Sequence, residues 1–137
     1  MTALSLDTNV AIDVMRLRSP RVSARLAAEI ANGTALYVSS VVQFELRFGA
    51  AKSRDPERGA AILDKFFAAP ISILPFDADD AAEAGAIRAE LERKGKSIGP
   101  YDVLIAGQAR RRGLALVSAN RREFERIPGL IVTDWSR

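Results

Sequence analysis

The chain has 137 residues, of which 48% are hydrophobic, and it contains neither His nor Cys. This composition excludes disulfides, thiolate chemistry, soft-metal sites and imidazole acids or bases, so any catalysis must use carboxylates, hydroxyls, amides, Lys and Arg. The 20 basic and 17 acidic residues leave a net charge of +3, which is compatible with a nucleic-acid partner.

The length of the chain predicts one domain over residues 1–137. No apolar run approaches the roughly 18 residues of a membrane-spanning helix. The first residues also lack the basic segment, apolar stretch and small-residue cleavage site of an export signal. We therefore expect a soluble, cytoplasmic protein that makes no contact with a membrane.

Short apolar runs alternate with segments that begin at helix-capping residues. In chain order, the predicted elements are a strand from residue 4 that ends at Asp7, helices to about residue 15 and over 20–32, a strand over 36–39, helices to about residue 51 and over 56–70, a strand over 71–74, helices over 77–95 and 100–113, a strand over 114–117, a helical turn over 121–126 and a strand over 130–132. This alternation predicts an α/β fold, a three-layer α/β/α sandwich with a mostly parallel central sheet. Asp7 then lies at the sheet edge where such folds bind ligands.

Three helical carboxylates have only apolar residues or glycine at positions three and four away on both sides, namely Glu45, Asp64 and Asp102. Glu45 follows Ser39 by one to two helical turns, and Asp102 lies in the first turn after Pro100, so both are expected near a sheet edge. Asp64 lies in the middle of its helix, where a partly exposed side chain or an interface contact is expected.

Each acid also has an ordinary structural explanation. Asp7 and Asp102 suit helix N-termini, and Glu45 requires a partner because an unpaired buried carboxylate is costly. Together, however, the three acids come from separate segments that meet at one edge, and three clustered negative charges require a cation. Without His or Cys this cation is Mg²⁺ or Mn²⁺, and the chemistry expected of it is attack of a metal-bound water on a phosphodiester.

Four blocks of sequence carry a resemblance to a known family. They are Asp7-Thr8-Asn9, then Ser39-Ser40 with Glu45-Leu46 and Gly49, then residues 98–106, and finally residues 116–120 with Phe124 and the segment 128–135. In this order and spacing they resemble the PIN-domain ribonucleases, specifically the VapC-like toxins of bacterial type II toxin–antitoxin pairs. The resemblance covers nearly the whole chain.

The resemblance implies an endoribonuclease that binds Mg²⁺ or Mn²⁺ through Asp7, Glu45 and Asp102. It places Asn120 where many members have a fourth acid, and Ser118 where the family often has Thr. An amide at position 120 leaves open whether the pocket holds one metal ion or two. The family also implies an RNA substrate, a homodimer and a cognate antitoxin that blocks the site and alone links the toxin to operator DNA.

Substrate contacts are predicted at four positions, which are Thr8, Asn9, Arg121 and Arg122. Arg121 and Arg122, together with Arg126, form a basic cluster that follows the fourth strand at the active edge of the sheet. Arg side chains there are suited to binding phosphate. The other basic cluster, residues 110–112, is expected to be an ordinary basic helix end. Glu123, next to Arg122, could supply the negative charge that Asn120 lacks, but a salt bridge with Arg121 or Arg126 is the preferred expectation.

Four phenylalanines at helical spacing, Phe44, Phe48, Phe66 and Phe67, are expected in the core. An apolar strip left between their helices could dock a partner helix or a second copy of the chain.

Other functions remain open on the sequence. An aspartyl-phosphate phosphatase is disfavoured because Asn9 stands where its second acid belongs, and a dinucleotide-dependent enzyme because the first strand is not followed by a glycine-rich turn. The alternative from another class is a catalytically weak or inactive module that binds antitoxin and operator DNA, with its site impaired by Asn120.

Overall fold

The computed structural model describes residues 2–137, which form five strands and seven helices. The strands are β1 (Leu4–Leu6), β2 (Leu36–Ser39), β3 (Ser72–Leu74), β4 (Ala115–Val117) and β5 (Ile131–Thr133). The helices are α1 (Thr8–Met15), α2 (Pro20–Ala31), α3 (Ser40–Ala51), α4 (Pro56–Phe67), α5 (Ala78–Arg93), α6 (Pro100–Arg112) and α7 (Arg121–Phe124). Within the described part of the chain, no helix has the length and apolar character needed to cross a bilayer.

The strands form one parallel sheet in the order β3-β2-β1-β4-β5. From β1 the chain adds β2 and then β3 on one side of the sheet, and it then crosses back to add β4 and β5 on the other side. Because such crossovers are right-handed, the helices before and after this reversal lie on opposite faces of the sheet. The predicted three-layer α/β/α sandwich is therefore confirmed. The strand order reverses between β1 and β4, which is the position where open α/β sheets form a crevice at the carboxyl ends of the strands.

The capping residues place the helices close to their predicted positions. Asp7, Ser19 and Asp55 cap α1, α2 and α4, and α6 ends at Gly113 with a positive φ of 68°. The predicted boundaries differ from the observed ones by up to about three residues. The largest difference is at α4, because an apolar pattern does not reveal where the last helical hydrogen bond forms.

Two of the four phenylalanines expected in the core lie on the surface instead. Phe66 is buried, but Phe44 and Phe48 are 53% and 56% exposed. The reason is the rotation of α3, whose buried residues are Val42 and Leu46. Residues two positions further along a helix point about 200° away from these, into solvent.

The helices α5 and α6 pack antiparallel at very short range. A Cβ added to Gly107 would lie 2.7 Å from the Ala84 Cβ, so only glycine permits this approach. Further along, the basic residues that end α6 are engaged with α5, because Arg110 Nε lies 2.7 Å from Glu83 Oε2 and both Arg111 and Arg112 bond to Asp80. The cluster at 110–112 is thus structural, as the sequence predicted.

Candidate active site

Asp7 lies at the carboxyl end of β1 and is the N-cap of α1. It is 5% exposed, and its Oδ1 accepts a hydrogen bond from the Val10 N–H at 2.8 Å. The Asp7 N–H donates to the Val117 carbonyl oxygen at 3.1 Å, which fixes the residue beside β4. Burial raises the pKa of Asp7 to about 6, hydrogen bonds from Ser118 and Val10 oppose this rise, and the charge of Asp102 adds to it.

Glu45 and Asp102 approach the same region from two helices. Glu45 lies in the second turn of α3, and the Thr8 hydroxyl donates to its Oε1 at 2.7 Å. Asp102 lies in the first turn of α6. Burial raises the pKa of Asp102, and the negative charges of Glu123 and Glu45 raise it further. Asp102 therefore lies within electrostatic range of both other acids predicted as metal ligands, Asp7 and Glu45.

Gly99 leaves the room that the Asp102 carboxylate occupies. A Cβ at this position would lie 2.9 Å from Asp102 Oδ2, closer than unbonded atoms tolerate. Gly99 is also the N-cap residue of α6. The lack of a side chain at position 99 thus lets the acid adopt its observed orientation.

Glu123 does not form the salt bridge expected from the sequence. Arg121 Nε pairs with Glu125 Oε1 at 3.0 Å, and Arg126 Nη1 donates to the Ser97 carbonyl oxygen at 3.1 Å. Both expected partners are therefore engaged elsewhere. The prediction was wrong because it considered the charges of this short helix and ignored the residue that caps it.

Asn120 holds Glu123 toward the other carboxylates. Its Nδ2 donates to Glu123 Oε2 at 3.0 Å, and its backbone N–H donates to Ser118 Oγ at 2.9 Å. The charge of Glu123 affects the pKa of Asp102 more than that of Glu45 does. Asn120 and Glu123 have the N-cap and N3 spacing of a capping box, a signal in the sequence that indicates their contact, although here the two side chains bond to each other.

Of the four residues predicted to contact substrate, one bonds to an acid of the pocket. Thr8 is half-buried and its hydroxyl is committed to Glu45, so its observed role is to orient that acid. Asn9 is exposed in the first turn of α1. Arg121 is ion-paired, whereas Arg122 is exposed and has no ion pair within residues 2–137. Arg122 is thus the cation available to a phosphate.

The residues of the pocket suit a hard divalent cation. Asp7, Glu45, Asp102 and Glu123 offer only oxygen atoms, and none of them forms an ion pair with Lys or Arg in the described chain. Over the same residues, no three acids stand close enough in this conformation to form a metal-ligand group. The donor set, oxygen atoms alone, is the one that Mg²⁺ prefers.

Comparison with known families gives a match over most of the chain. The model of the PIN domain family matches residues 4–130. Among curated relatives, the chain is 43% identical to the tRNA(fMet)-specific endonuclease VapC of Shigella flexneri, covering 99% of this chain and 100% of that protein. It is 41% identical to the ribonuclease VapC2 of Haemophilus influenzae, covering 98% and 99%.

Solved structures show the same similarity in three dimensions. The chain superposes on DNA-bound VapBC from Salmonella typhimurium with a TM-score of 0.89 and 41% identity, covering 98% of this chain and 99% of that one. It superposes on VapBC2 from Rickettsia felis, solved with a promoter DNA fragment, with a TM-score of 0.90 and 34% identity, covering 97% and 98%. Fold and sequence therefore agree along the whole length of these relatives.

Proposed function

Because the chain belongs to the PIN domain family and is similar to its VapC ribonucleases from end to end, we propose that it is the toxin of a toxin–antitoxin pair and hydrolyses RNA phosphodiester bonds with the help of Mg²⁺ or Mn²⁺. The observation that carries this proposal is the group of acids that meets where the strand order reverses. These acids form no ion pair within residues 2–137, and burial together with their charges raises the pKa of Asp7 and Asp102, which supports a cation as their partner.

We assign the binding of this cation to Asp7, Glu45 and Asp102, with Glu123 as a fourth carboxylate at the same pocket. When bound, the ion would neutralise charge on the phosphodiester and lower the pKa of a water molecule for attack on phosphorus. Glu123 supplies the one negative charge that the amide of Asn120 lacks.

The other residues of the pocket hold the acids in place. The Thr8 hydroxyl fixes one oxygen of Glu45, and the N–H of Val10 fixes one oxygen of Asp7. Ser118 bonds to Asp7 and also accepts from the Asn120 N–H, so one hydroxyl links β4 to the acid that follows β1. Hydrogen bonds of this kind orient metal ligands and raise their affinity.

The alternative function, a catalytically weak module, rested on the amide at position 120. In the structure Asn120 donates to Glu123 and directs a carboxylate toward Asp102. An amide in this position is a support for an acid, so it does not by itself indicate an impaired site. This observation favours the ribonuclease over the inactive module.

The proposal is tested by RNA cleavage with purified toxin that has been freed of its antitoxin. We expect cleavage of total RNA with Mg²⁺ or Mn²⁺, none with EDTA, and a loss of at least about 100-fold in Asp102→Asn and Glu45→Gln. Asp64→Asn is the matched control, because Asp64 is a 72% exposed helical acid outside the pocket. Cleavage in EDTA, or full activity of both pocket variants, would exclude the mechanism.

A groove between α1, α3 and α4 suits a helix of the antitoxin. It has a volume of about 270 Å³, and its charged lining residues are Arg16, Arg58, Glu45 and Asp55. Its apolar lining consists of Ile12, Met15, Leu46, Ala50, Ile62 and Leu63. Glu45 also lines the groove, so a helix bound there lies next to the acids. Amphipathic helices bind such grooves through their apolar face.

Gly49 provides a specific test of this docking surface. It lines the groove, and nothing lies within 4 Å of a Cβ built there, so Gly49→Leu should fold normally while filling the space. We expect this variant to bind the antitoxin about 10–100-fold more weakly, measured by titration calorimetry, and to keep cleaving RNA when antitoxin is added. Gly85→Leu is the control, because that position on α5 is equally open and lies outside the groove. Unchanged affinity of the Gly49 variant would place the antitoxin elsewhere.

We further propose that operator DNA is contacted only through the antitoxin, in keeping with relatives solved as DNA-bound VapBC. We propose a cytoplasmic location, because the proposed RNA substrate is found there. The homodimer stays a prediction, to be measured by size-exclusion chromatography with light scattering.

A further inference from the structure

An exposed aromatic patch borders the acid pocket and has no role in the site described above. It consists of Phe44, Phe48 and Tyr101, which are 53%, 56% and 44% exposed. The rings of Phe44 and Tyr101 come from α3 and α6, and their centroids lie 5.7 Å apart. The rings of Phe44 and Phe48 are nearly parallel, with centroids 6.4 Å apart. The three rings therefore form one surface that joins the two helices.

The patch adjoins the acids through the chain itself. Phe44 directly precedes Glu45, and Tyr101 directly precedes Asp102. These two acids influence each other electrostatically, so the helices that carry them meet at the pocket, and the ring pair meets beside it. A substrate whose phosphate reaches the acids has its neighbouring nucleotides within reach of these rings.

The charges around the patch favour a polyanion as its occupant. The Lys52 ammonium lies 4.8 Å from the centroid of the Phe48 ring. Arg47, on the same helix, is directed toward α4, where it pairs with Asp64. The single acid of α3 is Glu45, whose carboxylate is held by Thr8 at the pocket. Exposed rings flanked by cations are the combination with which proteins bind unpaired nucleotides, since bases stack on the rings and phosphates meet the cations.

We propose, on the basis of the ribonuclease function assigned above, that Phe44 and Tyr101 are substrate-positioning residues on which a base next to the scissile phosphate stacks. A base inside a duplex has both faces covered by its neighbours, so the stacking partner is an unpaired nucleotide. The aromatic patch therefore selects single-stranded segments or loops of RNA and places their backbone over the acids.

The test uses the full-length toxin and a short oligonucleotide that contains its mapped cut site. We expect Phe44→Leu and Tyr101→Leu each to lower kcat/KM by about 10–100-fold, mainly through a higher KM, because a leucine keeps the apolar surface and removes the aromatic face. Phe44→Tyr and Tyr101→Phe should retain activity. An abasic nucleotide beside the cut site should impair the wild type and have little further effect on the double leucine variant.

The outcomes separate this inference from its rivals. If the leucine variants cleave like the wild type, or if the abasic substrate impairs wild type and double variant equally, the rings do not stack on RNA. If light scattering shows that the leucine variants lose a dimer in step with activity, the patch is an interface between two copies and the inference is overturned. If the wild type cleaves no RNA at all, the ribonuclease assignment itself fails, and the inference fails with it.

Discussion

Asp7→Asn is expected to make the metal-free protein more stable at pH 7.5 while abolishing its ribonuclease activity. The side chain is almost fully buried, and its folded pKa of about 6 lies above the ordinary value of 3.8. As the pH rises above about 4, the unfolded chain gives up this proton first, and the folded state becomes less stable until the pH exceeds 6. A difference of this size corresponds to at most about 3 kcal/mol at neutral pH.

Asparagine at position 7 removes the destabilisation caused by burying an ionised carboxylate, and it still caps the N-terminus of α1. An Asn side chain can still accept from the Val10 N–H and stands among the best N-cap residues. We expect a rise in Tm of roughly 5–10 °C at pH 7.5, measured by circular dichroism in EDTA, and almost no rise at pH 4. Addition of Mg²⁺ should raise the Tm of the wild type and leave that of the variant nearly unchanged, because a ligand is missing.

Asp55→Asn is the matched control. Asp55 caps α4 through the Arg58 N–H at 3.1 Å, but it is exposed to solvent. The same substitution there should leave the Tm unchanged at both pH values. A lower Tm of the Asp7 variant at pH 7.5 would show that burial of this carboxylate does not destabilise the fold.

Asp80→Ala is expected to destabilise the fold far more than the loss of a surface carboxylate does. Asp80 is fully buried and accepts hydrogen bonds from Arg111 at 2.9 Å and from Arg112 and Gln108 at 3.0 Å. It also completes a capping box with Asp77 at the start of α5. Removal of the carboxylate leaves these donors without their acceptor. We expect the free energy of unfolding to fall by about 3 kcal/mol. This is near the low end of the range for breaking a buried ion pair, because the guanidinium groups keep some contact with water.

The pH dependence of Asp80 has the opposite sign to that of Asp7. Burial pushes the pKa of Asp80 upward, but hydrogen bonds from Arg112, the Asp77 backbone, Arg111 and Gln108 outweigh it and hold this pKa well below its ordinary value. The contribution to stability is present above about pH 4 and is lost as the pH falls, because the unfolded chain takes up the proton first.

Urea denaturation at pH 7 and pH 3 measures this effect. Asp80→Asn, which keeps the shape of the side chain, provides a second variant if the alanine variant does not fold. Asp79→Ala is the control, since Asp79 is 79% exposed and contacts the same Arg111 from the surface, so little change is expected. Equal stability of the wild type and both Asp80 variants at pH 7 would show that the buried network is not stabilising.

Much of the fold could be predicted because its signals are local. Apolar runs marked the strands, and Asp, Ser and Pro at helix starts marked caps that the structure contains. The rotation of α3 about its axis could not be predicted in the same way. Phe44 and Phe48 share a helical face with each other, but which face meets the sheet depends on packing partners far away in the sequence.

The candidate site was predictable to a similar degree. Asp7, Glu45 and Asp102 stood out because their neighbours along the helix are apolar or because they follow a strand. Glu123 did not, because arginines surround it in the sequence, and only the tertiary structure shows that Arg126 is drawn away to the Ser97 carbonyl oxygen. The assignment of these acids as metal ligands stays a prediction that the cleavage and Mg²⁺ experiments decide.

The pairing of β1 with β4 also determines when a newly synthesised chain can complete the acid pocket. Leu4 is paired with Ala115, so the two walls of the crevice come from opposite ends of the chain. Because domains are synthesised from the N-terminus, Asp7 and Glu45 leave the ribosome long before Asp102, Ser118 and Glu123. A nascent chain therefore cannot assemble its acids until translation is nearly finished.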